Sequence, residues 1–182
     1  MTAATSNRRV FLIGFMGAGK TSAGKAVARR LGWNFCDLDE KIEERQHKKV
    51  AAIFAESGEE QFRAMESAAL RDLLKEATGE WIIALGGGTF VQSANRAALA
   101  EAGAITILLD ADLEEIERRC RADGATRPLA QDGNKLRELF ENRREVYAKA
   151  QFRVETTGKA VDAVAAEICD LLDSVQNREA IP

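Results

Sequence analysis

Proline, cysteine and histidine are scarce in this sequence, and no residue class runs to excess. Only two of 182 residues are proline, while 46% are hydrophobic and 30% charged. That balance excludes a disordered or fibrous chain and is enough for one core in one domain, with a small mobile subdomain. The three cysteines, Cys36, Cys120 and Cys169, are odd in number and far apart. They match neither a disulfide framework nor a zinc spacing, and they point to a reducing compartment where the thiols serve packing. The single histidine, His47, sits in the charged run RQHKK and is expected at the surface.

Net charge is also modest. A formal charge of -3 and a pI near 5.4 argue against general binding of nucleic acid or anionic membrane. An anionic substrate must then be held by basic side chains gathered locally. No apolar stretch approaches the roughly 18 residues of a membrane span. The opening MTAATSNRR lacks an apolar signal core, so it reads as a frayed tail and the protein as cytoplasmic.

What is present is alternation. Strands are expected at 10–13, 34–36, 81–85, 105–109 and 152–154. Helices are expected at 20–31, 38–45, 50–55, 60–77, 95–102, 112–121, 135–150 and 159–172. Strands alternating with helices of this length imply an α/β fold with a mostly parallel sheet covered on both faces. Right-handed crossovers place the C-terminal ends of the strands along one edge. Gly14, Asp37 and Gly86 each follow a strand directly, so their loops can meet there. The segment ADGATRPLAQDGN is polar, glycine-bearing and poor in core residues, which suits a mobile surface segment.

Two glycine-rich stretches stand out. GFMGAGKT fits G-x-x-x-x-G-K-[ST], with Gly14, Gly19, Lys20 and Thr21 at the fixed positions, between an expected strand and an expected helix. Backbone N–H groups of such a loop and the helix N-terminus cradle phosphate. Gly17, Ala18, Gly19, Lys20, Thr21 and Ser22 are the expected nucleotide contacts. Lys20 would reach the β- and γ-phosphates, and Thr21 would bind Mg²⁺. A guanine-reading sequence would need Asp at Arg137, after Asn134 and Lys135, so ATP is favoured. In DLD, Asp37 could meet Mg²⁺ through water and Asp39 could receive a substrate hydroxyl; either could instead cap the next helix.

The second stretch, ALGGGTF at 84–90, needs a ligand of its own or serves a tight turn. In AAIFAESGEEQFRAMESAAL, Glu66 could orient the planar fork of Arg63 towards a carboxylate, with Phe54 and Phe62 as an apolar wall, or the two could form a surface pair. In FENRREVYAKA, Arg143 and Tyr147 lie four apart and share a helix face. Arg127, followed by Pro128 in the loose segment, suits a lid that carries positive charge over a transferring phosphate.

Taken together, GFMGAGKTSAGK, DLDEKIE, IFAESGEEQFRAMES, ALGGGTF, RPL and ENRREVYAKA resemble the shikimate kinase family, in family order and over nearly the whole chain. The resemblance implies a three-layer P-loop kinase fold with a five-stranded parallel sheet, helices on both faces and a mobile lid. It implies one domain over 1–182, with an acceptor-binding subdomain at 38–77, a lid near 120–134 and tails at 1–8 and 175–182. The implied reaction is ATP- and Mg²⁺-dependent phosphorylation of the 3-hydroxyl of shikimate, in a monomer.

By motif match, Asp37 would assist Mg²⁺ and Asp39 would engage the substrate hydroxyls. Arg63 and Arg143 would hold the carboxylate, and Gly86, Gly87 and Gly88 would bring backbone close to the ring. Lys20 and Arg127 would stabilise the phosphoryl group. The stretch before the lid aligns poorly, leaving Arg119 or Arg121 for adenine, with Arg119 favoured. The chain departs from the family at His47, often glycine, and at Glu145, where proline is usual. A gluconate-type kinase and a nucleotide-gated regulatory ATPase are the competing readings.

Overall fold

The computed structural model describes residues 7–122 and 133–179. Five strands form one sheet: β1 (Arg9–Ile13), β2 (Asn34–Asp37), β3 (Trp81–Ala84), β4 (Ile105–Asp110) and β5 (Phe152–Glu155). Their order across the sheet is β2-β3-β1-β4-β5, with every neighbouring pair parallel. Among the described residues seven helices cover it: α1 (Lys20–Leu31), α2 (Leu38–Gln46), α3 (Val50–Glu76), α4 (Ser93–Glu101), α5 (Leu113–Ala122), α6 (Gly133–Tyr147) and α7 (Val161–Glu179).

The central strands are continuous apolar runs because both of their faces are covered. Phe11, Leu12, Ile107 and Leu109 are at most 1% exposed, and full burial of such side chains stabilises by roughly 1.5–3 kcal/mol each. The edge strands β2 and β5 are only partly buried. Gly24 lets α1 lie flat on the sheet, since a Cβ there would come within 2.5 Å of the Phe35 ring. No described helix is long and apolar enough to cross a membrane.

Element types follow the sequence reading, and the differences have local causes. The expected helices at 50–55 and 60–77 are both present and meet at a kink at Gly58, whose φ of 78° and ψ of 172° are non-helical, within the run Val50–Glu76. His47 is exposed and ends α2 at φ 51°, and it is the one non-glycine at positive φ among the described residues. A left-handed C-cap favours glycine, so His47 holds a backbone conformation that glycine adopts more readily. α7 runs to Glu179, seven residues past its expected end, so 175–179, expected as tail, are helical. A 3₁₀ turn at Thr89–Val91, not anticipated, follows β3. All three cysteines are free, as expected; burial pushes the Cys36 and Cys169 thiols up, away from the reactive thiolate.

This topology sets the site. The loop after β1, Asp37 at the end of β2 and Gly86 just past β3 all lie on one sheet edge.

Candidate active site

The phosphate end is built from conformation. Gly14, Gly17 and Gly19 have φ of 147°, 74° and 92°, values that side-chain-bearing residues rarely adopt. Gly19 precedes α1 and no side chain caps the helix, nor does its first turn contain an acidic residue. The open N–H groups and positive dipole end are therefore available to an anion. The start of α2 is the opposite case: Asp37 caps it, accepting from the amides of Asp39 and Glu40. Lys20 Nζ donates to the carbonyls of Gly14 and Phe15 at 2.9 Å each, which holds the ammonium against the loop.

Thr21 Oγ1 donates to Asp37 Oδ2 at 2.6 Å. Asp37 thus serves as helix cap and as partner of the nucleotide loop at once. Among the described residues no cluster of three or more histidine, cysteine or acidic side chains could hold a metal alone. A hydroxyl and a carboxylate in contact beside a phosphate loop fit Mg²⁺, which keeps most of its ligands as water and phosphate oxygen. Thr21 and Asp37 would hold it.

A cleft of about 500 Å³ runs from this loop past Asp39, Arg119 and Gly158. Arg119 is pinned there. Its Nε donates to Glu115, its NH1 to Gly17 O at 3.2 Å and its NH2 to Thr156 O at 2.6 Å. Arg121 instead pairs with Glu117 and is exposed. Of the two arginines weighed in the sequence, Arg119 lines the cleft and Arg121 does not. Hydrogen bonds from Arg118, with those from Arg119, hold Glu115 down at about 2. Because that value is depressed, the link between Glu115 and Arg119 persists through neutral pH and fades only as pH falls towards it. A smaller cavity of about 160 Å³ lies beyond Phe15, lined by Leu108, Phe140 and Phe152 with Asp110, Arg144 and Arg153, and the phosphate-loop residues 17–22 do not line it.

The triple glycine works differently from the phosphate loop. None of Gly86, Gly87 and Gly88 has positive φ, so their use is space. A Cβ on Gly86 would lie 2.5 Å from Asp39 Oδ1 and 2.6 Å from Glu66 Oε1. On Gly87 it would lie 3.3 Å from Arg143 NH1, and on Gly88 it would fall within the Arg63 guanidinium, 2.6 Å from NH2 and closer to NH1 and Cζ. The sequence reading assigned these glycines to close approach of a ligand. What approaches them here is the chain itself: Asp39, Arg63 and Arg143, from three separate helices, converge on this turn.

Arg63 is held from its own helix. Arg63 NH1 donates to Glu66 Oε2 at 2.6 Å, while its Nε and NH2 both donate to Glu59 Oε1. Glu66 is 1% exposed and Glu59 is 68% exposed, so the first grip is fixed and the second is a weak surface pair. Burial acts to lower the Arg63 pKa, but Glu66 and Glu59 outweigh it and the net shift is upward, which keeps the guanidinium charged. Phe54 and Phe62 form a ring pair at 4.5 Å, each centroid 5.7 Å from Arg63 Cζ. Phe62 is only 2% exposed, so it supports Arg63 from the core and does not offer a wall to a ligand.

On α6, Arg143 and Tyr147 share a face as their spacing requires, and Glu145 leaves the helix unbroken. The Tyr147 hydroxyl donates to Gly87 O, anchoring that face on the glycine turn. Burial pushes the phenol up, so it stays a neutral donor. Arg127 and most of the expected lid at 120–134 lie outside the described residues.

Sequence reasoning missed Thr89, Glu115 and Thr156. Thr156 is 1% exposed, and its hydroxyl donates to Asp110 O at 3.0 Å while its carbonyl receives Arg119. It directly follows β5, and the strand-end rule that flagged Asp37 and Gly86 would also have flagged it.

Comparison with known proteins agrees with this geometry. A family model described as Shikimate kinase matches residues 16–173. The shikimate kinase of Geobacter metallireducens is 40% identical over 176 residues, covering 95% of this chain and 96% of that protein. The structure of shikimate kinase from Acinetobacter baumannii in complex with shikimate superposes with a TM-score of 0.85 at 33% identity, covering 93% of this chain and 95% of that one. Shikimate kinase from Bacteroides thetaiotaomicron gives 0.82 at 31% identity, with 92% and 99% covered. With phosphate loop, Arg63, Arg143 and glycine turn meeting on one sheet edge, and with relatives matched over almost their full length, this chain belongs to the shikimate kinase family.

Proposed function

We propose that this chain transfers the γ-phosphoryl group of ATP to the 3-hydroxyl of shikimate, giving shikimate 3-phosphate and ADP for chorismate and aromatic amino-acid synthesis. The observation that carries the reading is the convergence of Asp39, Arg63 and Arg143 on the glycine turn beside an uncapped phosphate loop. The bound shikimate in the Acinetobacter baumannii relative supports the same acceptor.

Phosphoryl transfer asks a protein mainly for positioning and charge stabilisation. The amides of residues 17–22 and the Lys20 ammonium take the phosphate oxygens, and Arg119 holds the adenine end. Thr21 and Asp37 would hold Mg²⁺, which would neutralise phosphate charge when bound. The shikimate carboxylate takes the Nε/NH2 edge of Arg63, where the exposed Glu59 now sits, and Arg143 closes on it from α6. Asp39 receives the hydrogen bond of the 3-hydroxyl and accepts its proton. Arg127 supplies a second positive charge to the transferring group. The hydroxyl oxygen forms the new P–O bond as the bond to the β-phosphate oxygen breaks, and no phosphoenzyme is needed.

We propose a cytoplasmic, monomeric enzyme. Support for the monomer is that Val161 is the one large exposed hydrophobic among the described residues, too little for a stable apolar interface.

ADP release should be strongly stimulated by shikimate and little by quinate, gluconate or buffer alone. Arg63→Ala should weaken shikimate binding by about 10-fold or more, since hydrogen bonds to charged groups contribute roughly 1.5–3 kcal/mol each. Stimulation by gluconate would favour the sugar-acid kinase reading, and acceptor-independent turnover the regulatory ATPase. Unchanged calorimetric affinity in Arg63→Ala would remove the carboxylate assignment.

A further inference from the structure

We propose that Thr89 is a positioning residue for the acceptor: its hydroxyl fixes Glu66, and through Glu66 the guanidinium of Arg63. The inference rests on the assignment of the shikimate carboxylate to Arg63 and deepens it.

Thr89 is fully buried, at 0% exposure, directly after the glycine turn. Its backbone is tied at both ends. The amide donates to Gly86 O at 3.1 Å, and the carbonyl accepts from Asn95 Nδ2 at 2.9 Å. A β-branched side chain on a backbone so held has little rotamer freedom. Its hydroxyl donates to Glu66 Oε1 at 2.6 Å, and Glu66 Oε2 accepts from Arg63 NH1 at the same distance.

The carboxylate thus has one oxygen for the turn and one for the arginine. The terminal torsion of a glutamate is intrinsically broad; a donor on one oxygen and a guanidinium on the other fix its plane. Among the described residues, the opposite edge of Arg63 is hydrogen-bonded by the exposed Glu59 alone. When a substrate carboxylate takes that edge, Glu66 is the remaining hydrogen-bond partner of Arg63 among the described residues, beside the packing of Phe54 and Phe62, and Thr89 is what orients Glu66. The hydroxyl also lies 3.1 Å from the Cβ position of Gly86, the glycine against which Asp39 and Glu66 both pack. One buried hydroxyl therefore ties the acceptor arginine to the turn that faces the phosphate loop.

The test replaces Thr89 by valine, which keeps the shape and removes the donor, and by serine, which keeps the donor. Thr89→Val should raise the KM for shikimate by about tenfold, the scale of one hydrogen bond to a charged group. The ATP KM should stay within about twofold and kcat within about threefold. Thr89→Ser should restore the shikimate KM to within about threefold. A purely structural role would lower the melting temperature without this split. Should Thr89→Val fail to fold by circular dichroism, Thr89→Ala against Thr89→Ser makes the same comparison.

The carboxamide analogue of shikimate separates the two levels. Thr89→Val should penalise the acid and leave the amide unchanged. If Arg63→Ala penalises the acid selectively but Thr89→Val does not, the role of Thr89 is overturned and the carboxylate assignment stands. If Arg63→Ala treats acid and amide alike, the assignment itself falls.

Discussion

Gly88→Ala should lower kcat/KM for shikimate by roughly 100-fold or more while leaving ATP affinity within about twofold. Gly88 has φ of -97° and ψ of -18°, a backbone that alanine adopts without strain, so the effect isolates space from conformation. The added methyl would occupy the volume of the Arg63 guanidinium, 2.6 Å from NH2. The turn cannot retreat easily, because Val91 N donates to Gly88 O and Thr89 N to Gly86 O. Arg63 must then leave its place against Glu66, and the acceptor loses its charged hydrogen bonds at about 1.5–3 kcal/mol each. Steady-state kinetics with each substrate varied in turn decide the matter. A Gly88→Ala enzyme with normal shikimate KM and kcat would mean that Arg63 is not needed where it sits.

Lys20→Ala should lower kcat by roughly 100- to 1,000-fold, the scale of losing one preorganised charge at a transferring group. Alanine favours the first turn of α1, so the helix should survive. The variant also loses the two 2.9 Å bonds to Gly14 O and Phe15 O, and ATP affinity should weaken modestly. Shikimate affinity should not, because Arg63 and its partners Glu59 and Glu66 lie on α3 and Lys20 lies on α1. Single-turnover rates with calorimetry separate chemistry from binding. A large loss of shikimate affinity with kcat preserved would contradict this division of labour.

The opposite signatures of these two variants reflect two uses of glycine, and only one was legible in the sequence. In the phosphate loop, spacing between a strand and a helix implies left-handed backbone, and φ at Gly14, Gly17 and Gly19 bears this out. At 86–88 the sequence shows that side chains are unwelcome but not why. The reason is tertiary: residues from α2, α3 and α6, distant in sequence, cross this turn. Apolar runs identified the central strands β1, β3 and β4 because burial on both faces leaves no other pattern. Helix ends were less legible where a single dihedral decides, as at Gly58 and His47. Thr89 escaped notice because an isolated threonine after glycines carries no periodic signal; only its depth and its 2.6 Å bond to Glu66 distinguish it.

The most direct test of the central claim is a crystal structure of the chain with ADP and shikimate. The shikimate carboxylate should lie about 3 Å from guanidinium nitrogens of Arg63 and Arg143, with the 3-hydroxyl at Asp39 facing the phosphate loop. Shikimate bound away from the 86–88 turn, or with its carboxylate touching neither arginine, would contradict the account.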